Sequence, residues 1–296
     1  MRGEFMKRFL LAGAAFGALM GPAMGSDMLP PRDRVPAYAW NGWYAGVNAG
    51  VAFNSLDVGT SSSNTFASST LASPAAGPLA TAITSLANFD APINTAGFMG
   101  GGQVGYDWQF PWLATALVAG VEADIQGLSG KFTSNVASNT GVVGWPNTLN
   151  QAASVSTAVN YLGTLRARLG MLVGFLGTTV LYYATGGLAY GGVSASTTVT
   201  QTLGGLSDLA PPTWAGSGSF SGTRIGWAAG LGAEWMFFPN WSTSLEYLHY
   251  DLGSATYGVS PLVSNTAVIK PYTVNTLQSN PPFNGEIIRA GVNYHF

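Results

Sequence analysis

RIGWAAGLGAEW, residues 224–235, decides the fold. Ile225, Trp227, Ala229, Leu231, Ala233 and Trp235 share one parity, while Arg224, Gly226, Ala228, Gly230, Gly232 and Glu234 share the other. Successive side chains of a strand point to opposite faces, so the segment has one oily face and one polar or tiny face. The split recurs at 43–53 (Val47, Val51, Phe53 against Asn48, Gly50), 98–109 (Val104, Tyr106, Trp108 against Gln103, Asp107, Gln109) and 115–126 (Leu117, Val121, Ile125 against Glu122, Asp124, Gln126). It continues at 160–170 (Leu165, Ala167, Leu169 against Thr164, Arg166, Arg168) and 178–191 (Val180, Tyr182, Leu188, Tyr190 against Thr179, Thr185). The last two segments are 242–252 (Leu245, Tyr247 against Ser244, Glu246) and 286–296 (Ile288, Val292, Tyr294, Phe296 against Arg289, Asn293, His295).

Short connections near 110–113, 171–177 and 237–240 alternate with long ones near 54–95, 127–156, 192–222 and 253–284. This layout predicts an all-β fold: an eight-stranded antiparallel transmembrane β-barrel with short periplasmic turns and long extracellular loops. Closure also leaves no strand edge in lipid. A soluble β-sandwich would alternate too, but its outer face would carry solvating Lys and Glu; here the strand charges lie opposite the oily face. Residues 169–193 lack any charge and resemble a transmembrane helix by hydropathy. Gly170, Gly174, Gly177, Gly186 and Gly187 interrupt them, and the Thr, Val and Tyr between favour strand.

Composition agrees. Charged residues make up 8% of the 296 residues, against about 25% in an ordinary soluble domain, and 40 are Gly. No Cys is present, which excludes a disulfide framework, a thiol nucleophile and a Cys-based metal site. A net charge of −2 gives no basic footprint for nucleic acid. Arg2, Lys7 and Arg8 precede the apolar run Phe9–Leu19 and the small residues Ala23–Gly25, so 1–25 reads as a signal peptide for export. Residues 26–39 read as a Pro-rich periplasmic leader and 40–296 as the barrel.

Parity assigns Asp107, Glu122, Asp124, Arg166, Arg168, Arg224, Glu234, Glu246 and Arg289 to the lumen, five acids with four bases. Isolated ions in a narrow interior are costly, so the charges are expected to pair, Glu246 with Arg289 in particular. An eight-stranded interior is just wide enough for side chains to fill. The network then acts as a plug, either passive filling or a gate. Trp43, Trp108, Trp112, Phe237, Phe238 and Trp241 are expected to form the periplasmic aromatic girdle, with Tyr190, Tyr247 and Tyr250 in the outer belt.

Motifs for chemistry are sparse. Gly100, Gly102 and Gly105 fit G-x-G-x-x-G, but no helix follows and the segment alternates as a strand. His249 and His295 fall on opposite faces and ends, so they make no joint metal site. His249 with Asp251 has no Ser on its face at i+2 to serve as nucleophile. No catalytic group and no cofactor is expected. Trp145 and Trp214 are candidate loop contacts, or pack onto the barrel itself.

The blocks WNGWYAGVNAGVAF (40–53), GGQVGYDWQ (101–109), LRARLG (165–170), YATGGLAYGGV (183–193), GWAAGLGAEWMFFPNWSTSLEYLHYDLG (226–253) and RAGVNYHF (289–296) resemble the small outer-membrane β-barrel proteins of Gram-negative bacteria. That group is labelled porin family or OmpA-like and includes surface antigens and haemin-binding members. The family pattern often has Tyr where His249 stands, and the likeness does not reach the long loops. The resemblance implies a multi-pass protein of the cell outer membrane, inserted by the barrel-assembly machinery, with Val292, Tyr294 and Phe296 as a C-terminal insertion signal. It implies outer-membrane lipids and lipopolysaccharide as surroundings; the long connections, low in charge and rich in Ser, Thr, Ala, Asn and Gly, are read from their composition as disordered cover, adhesive surface or contacts to further copies of the chain. Three functions remain open: a structural surface barrel supporting envelope integrity and surface contacts, a small-solute channel, and a surface ligand binder, for haemin or in adhesion.

Overall fold

The computed structural model describes residues 40–66, 76–112, 115–144, 146–175, 177–204, 211, 213–264 and 274–296. The expected signal peptide and leader, and Trp145, lie outside them. The elements are β1 (Gly42–Phe66), α1 (Ala76–Ala87), β2 (Phe89–Trp112), β3 (Thr115–Leu128), β4 (Lys131–Gly141), β5 (Thr148–Phe175) and β6 (Thr178–Leu203). They continue with β7 (Thr213–Phe238), β8 (Trp241–Ser254), β9 (Tyr257–Val259), β10 (Val263–Ser264), β11 (Val274–Asn280) and β12 (Pro282–His295).

Strands β1, β2, β3, β5, β6, β7, β8 and β12 pair in that order, each antiparallel to its neighbours. The register Tyr44↔His295 to Phe53↔Glu286 then joins β12 back to β1. This is the expected eight-membered ring. The faces also fall as parity requires: Trp227 and Leu231 are 49% and 47% exposed on the outside, whereas Glu234 and Arg166 are 0% and 1% exposed within. The short turns are tighter than expected, because Trp112↔Thr115 and Phe175↔Thr178 still pair. In the third, Asn240 adopts a φ of 68°, in the left-handed region that Asn tolerates better than most residues.

The long connections are a correction. Large parts of 54–95, 127–156, 192–222 and 253–284 continue the strands or add new ones. In β6 the outward Leu188 and Tyr190 give way to Val193, Ala195, Val199 and Leu203, which are buried inside, while Thr198 and its neighbours on the same parity face out. Pairing of β6 with β7 shows no shift across this point. Polarity inverts and register does not. Strand β1 does the same between Phe53, exposed outside, and Leu56 and Val58, buried inside; β2 does so between Phe98 and Ile93. Apolar side chains face acyl chains in the lower part and turn inward where the outside becomes water.

Above that boundary β4 follows β3 after Ser129 and Gly130 and pairs with the upper half of β5. Strand β11 pairs with the end of β1 and with β9, and β10 pairs with β7. The helix α1, which the sequence reading places in a loop, inserts Leu79, Ile83 and Leu86 into an apolar core with Leu149, Val199 and Trp214. Gln201 fixes it by donating from Nε2 to the Ile83 carbonyl at 3.0 Å. Trp214 is therefore an interior packing residue, and no loop anchor.

Candidate functional site

Inside the lower barrel the charged residues form two connected tiers. In the upper tier Arg166 bridges three carboxylates: Glu122, Asp124 at 2.9 Å and Glu246 at 2.8 Å. Arg289 reaches the same three, with Glu246 Oε2 2.6 Å from its Nε and Asp124 Oδ2 3.0 Å from its Nη2. Arg289 and Glu246 stand directly opposite across β12 and β8, as expected. Their approach needs the adjacent Gly50, since a Cβ there would sit 2.7 Å from the Arg289 Cβ.

The lower tier is built around Arg168. It grips both oxygens of Asp107 and donates to Glu234 Oε2 at 2.9 Å. Its guanidinium lies 4.5 Å from the Tyr44 ring centre and 5.2 Å from that of Tyr183, in reach of both π faces. A side chain at Gly105 would collide with the Tyr44 ring, and one at Gly232 with that of Tyr183. Gly105, one of the G-x-G-x-x-G positions, therefore makes room for a packed ring.

Eight of the nine expected lumen residues are thus brought together. Arg224 is the exception. Arg166 neighbours Gly187, which neighbours Ala228, and Arg224 is four residues further up β7, ~13 Å of strand. Its guanidinium lies 5.4 Å from the Phe220 ring centre, and no ion pair to it occurs among the described residues. Five acids therefore meet three arginines, and neutral donors complete the carboxylates. Glu234 Oε1 accepts from Ser242 at 2.5 Å and Asn293 at 2.7 Å, and Glu122 Oε2 accepts from Tyr44 at 2.7 Å. His295, on the inner face as expected, has Nε2 2.9 Å from Ser242 Oγ. Below them Trp40, fully buried, donates from Nε1 to Thr179 at 2.9 Å and packs edge-on against His295. Parity placed Asn293 and His295 correctly; Trp40 lies before the alternating stretch, where no pattern marks it.

On the outer surface Trp43, Trp108, Trp112, Phe238 and Trp241 are exposed near one end, with Phe237 packed against Phe238 at 5.5 Å. Val292, Tyr294 and Phe296 share the lipid face, and Phe296 is 75% exposed. The outer belt loses Tyr250, which has the parity of Glu246 and is buried inside. His249 does face outward, but its acid partner is Glu286, 3.0 Å from Nδ1, where Asp251 was expected. Tyr247 also donates to Glu286, and Trp227 packs 5.2 Å from the imidazole.

A closed antiparallel ring with an apolar band, an aromatic girdle and ions held within defines an integral β-barrel of the outer membrane. The chain belongs to the outer membrane protein beta-barrel domain family, whose model matches residues 9–296. It is similar to the 31 kDa outer-membrane immunogenic proteins of Brucella melitensis biotype 1 and Brucella suis biovar 1, each 29% identical over 98% of this chain and 100% of the relative. Among solved structures, neisserial surface protein A matches at 15% identity over 86% of this chain and 97% of its own, with a TM-score of 0.24. The outer-membrane protease OmpT of Escherichia coli matches at 10% identity over 85% and 97%, with a TM-score of 0.29.

Proposed function

We propose that this outer-membrane barrel is a closed structural surface protein that supports the envelope and presents its outer part to surface contacts. One observation carries the reading: the lumen is occupied at three levels, by Trp40 at the base, by the arginine–carboxylate tiers above it and by the apolar core around α1 at the top. A solute passing along the axis would have to separate buried ion pairs and then unpack an apolar core, each costing several kcal/mol. The charged residues act here as a plug.

The same reading gives Val292, Tyr294 and Phe296 their role as an insertion signal for the assembly machinery, because they lie together on the lipid face of the last strand. Lipopolysaccharide and outer-membrane lipids surround the protein, with no nucleic acid partner. It is not an enzyme in this reading; the outward pair His249–Glu286 ties β8 to β12, with the Tyr247 hydroxyl on the same carboxylate. The name of the Brucella relatives suggests that the outer part of this chain, too, is reached by antibodies.

Single-channel recording of the refolded full chain in planar bilayers tests the closed lumen. Flat traces are expected; discrete conductance steps would move the protein to the small-solute channels.

A further inference from the structure

The upper tier of the lumen leaves particular buried oxygens without a donor. Asp124 receives Arg166 and Arg289 on Oδ2 alone, while its Oδ1, on a side chain with no exposed surface, has no hydrogen-bond partner. A second such oxygen follows from a chain of amides. The Glu234 carboxylate can only accept, so the 2.7 Å contact to its Oε1 is made by Asn293 Nδ2. Asn293 Oδ1 then accepts from Gln103 Nε2 at 2.7 Å, and Gln103 Oε1 from Asn48 Nδ2 at 2.8 Å. Each amide is oriented by the one before it. Asn48, at the end of the chain and 6% exposed, therefore presents Oδ1, to which nothing donates. Gln126, 1% exposed, has both amide atoms unpaired.

The three residues stand together on the inner wall. Asp124 and Gln126 are successive inward residues of β3, and register sets Gln126 level with Gly101 of β2 and Asn48 of β1. Gly101 puts no side chain between them; a Cβ there would sit 2.9 Å from the Gln126 Cγ. Two strand spacings, ~10 Å, separate the backbones of Gln126 and Asn48, so their amides reach toward one small ligand.

Charge selects that ligand. Five carboxylates and three guanidinium groups fill the tiers, so even a protonated His295 beside Glu234 leaves one negative charge without a counterpart. Such a buried charge is costly, and a neutral water would satisfy the oxygens without compensating it. One carboxylate oxygen with two amide oxygens is a hard, oxygen-only donor set, and its single charge suits a monovalent ion better than a divalent one. Arg289 Nη1, also unpaired, finds an acceptor in a water that the ion retains.

We propose that the lumen holds one alkali cation on Asp124 Oδ1, Asn48 Oδ1 and Gln126 Oε1. The site goes beyond the closed-barrel reading and holds whether or not the lumen conducts. Binding the folded chain alone, the ion stabilises the barrel by mass action.

The full chain is refolded into detergent micelles in tetramethylammonium chloride, whose cation is too large for three converging oxygens. Sodium or potassium chloride then replaces it at constant ionic strength. At a fixed urea concentration the folded-to-unfolded ratio should rise with the alkali cation, in proportion to it above half-saturation. Equilibrium dialysis with a radioisotope of the more effective ion should count one per chain. Asp124→Asn keeps the volume and leaves two acids for two arginines in the upper tier; it should raise the half-saturating concentration at least tenfold. Gln126→Leu, which removes one donor oxygen, should raise it too and replaces Asp124→Asn if that variant fails to fold by heat-dependent gel mobility. Asp57→Asn, on the outer surface, should leave it unchanged. Equal ratios in all three chlorides would overturn the inference and leave the oxygens to water or a proton. So would an alkali effect kept in full by the lumen variants, or one lost in Asp57→Asn, which would move the ion to the surface.

Discussion

Arg289 shows how much depends on one side chain. With Arg166 it serves Glu122, Asp124 and Glu246, so Arg289→Ala leaves three buried carboxylates sharing Arg166, with Arg168, 3.8 Å from Glu122, as the other guanidinium in reach. Removing one partner of a buried pair costs ~3–5 kcal/mol, so urea unfolding of the refolded barrel should show a loss of that order. The double change Arg289→Met with Glu246→Met should cost less than the two single changes together, because neither charge is left alone. A loss below ~0.5 kcal/mol for Arg289→Ala would mean that the tier contributes nothing. Most of this site was legible at the level of residues because an ion in a strand that faces lipid has only one place to go. Parity does not give height, and Arg224 shows the limit: its face is right, yet it stands a full layer above the carboxylates.

Among the elements, β12 carries the most compact role. Its inner residues Arg289, Asn293 and His295 join the lumen tiers, while Val292, Tyr294 and Phe296 cover lipid and the Phe296 amide donates to the Trp43 carbonyl at 2.9 Å. Phe296→Ala removes an exposed ring and disturbs none of those inner contacts. It should reduce the amount of protein reaching the outer membrane several-fold in cells, while refolding from urea into micelles keeps its yield. Equal losses in both measurements would make Phe296 a girdle residue only, and no loss in either would remove the signal reading. The lower halves of the strands were legible for the same reason as β12, since grease on one parity is a strong signal. The upper halves were hidden because the grease changes parity: Tyr190 points out and Val193 points in, so a search for one continuous pattern ends at the membrane and reports a loop. The helix α1 left little trace, because its Ala and Gly neighbours match the composition of a surface connection.

For the whole molecule, the inversion of polarity is a ruler. It marks where the lipid stops: at Phe53 in β1, at Phe98 in β2 and between Tyr190 and Val193 in β6. Below it the protein is an inside-out object with ions within and apolar groups without; above it, the same cylinder of strands is packed like a water-soluble domain. One change of solvent accounts for both, since burial of apolar area favours whichever side water does not occupy. The chain has no Cys, so single substitutions can place a reporter cleanly. Leu188 and Thr198 share the outward face of β6, on either side of the predicted boundary. A membrane-impermeant maleimide added to intact cells should therefore label the Thr198→Cys variant and leave Leu188→Cys unmodified until the membrane is dissolved. Equal labelling of both would place the boundary lower than Leu188, and protection of both would bring the outward Ser194, Ser196, Thr198, Thr200 and Thr202 of β6 into lipid, where such a run of polar side chains is costly.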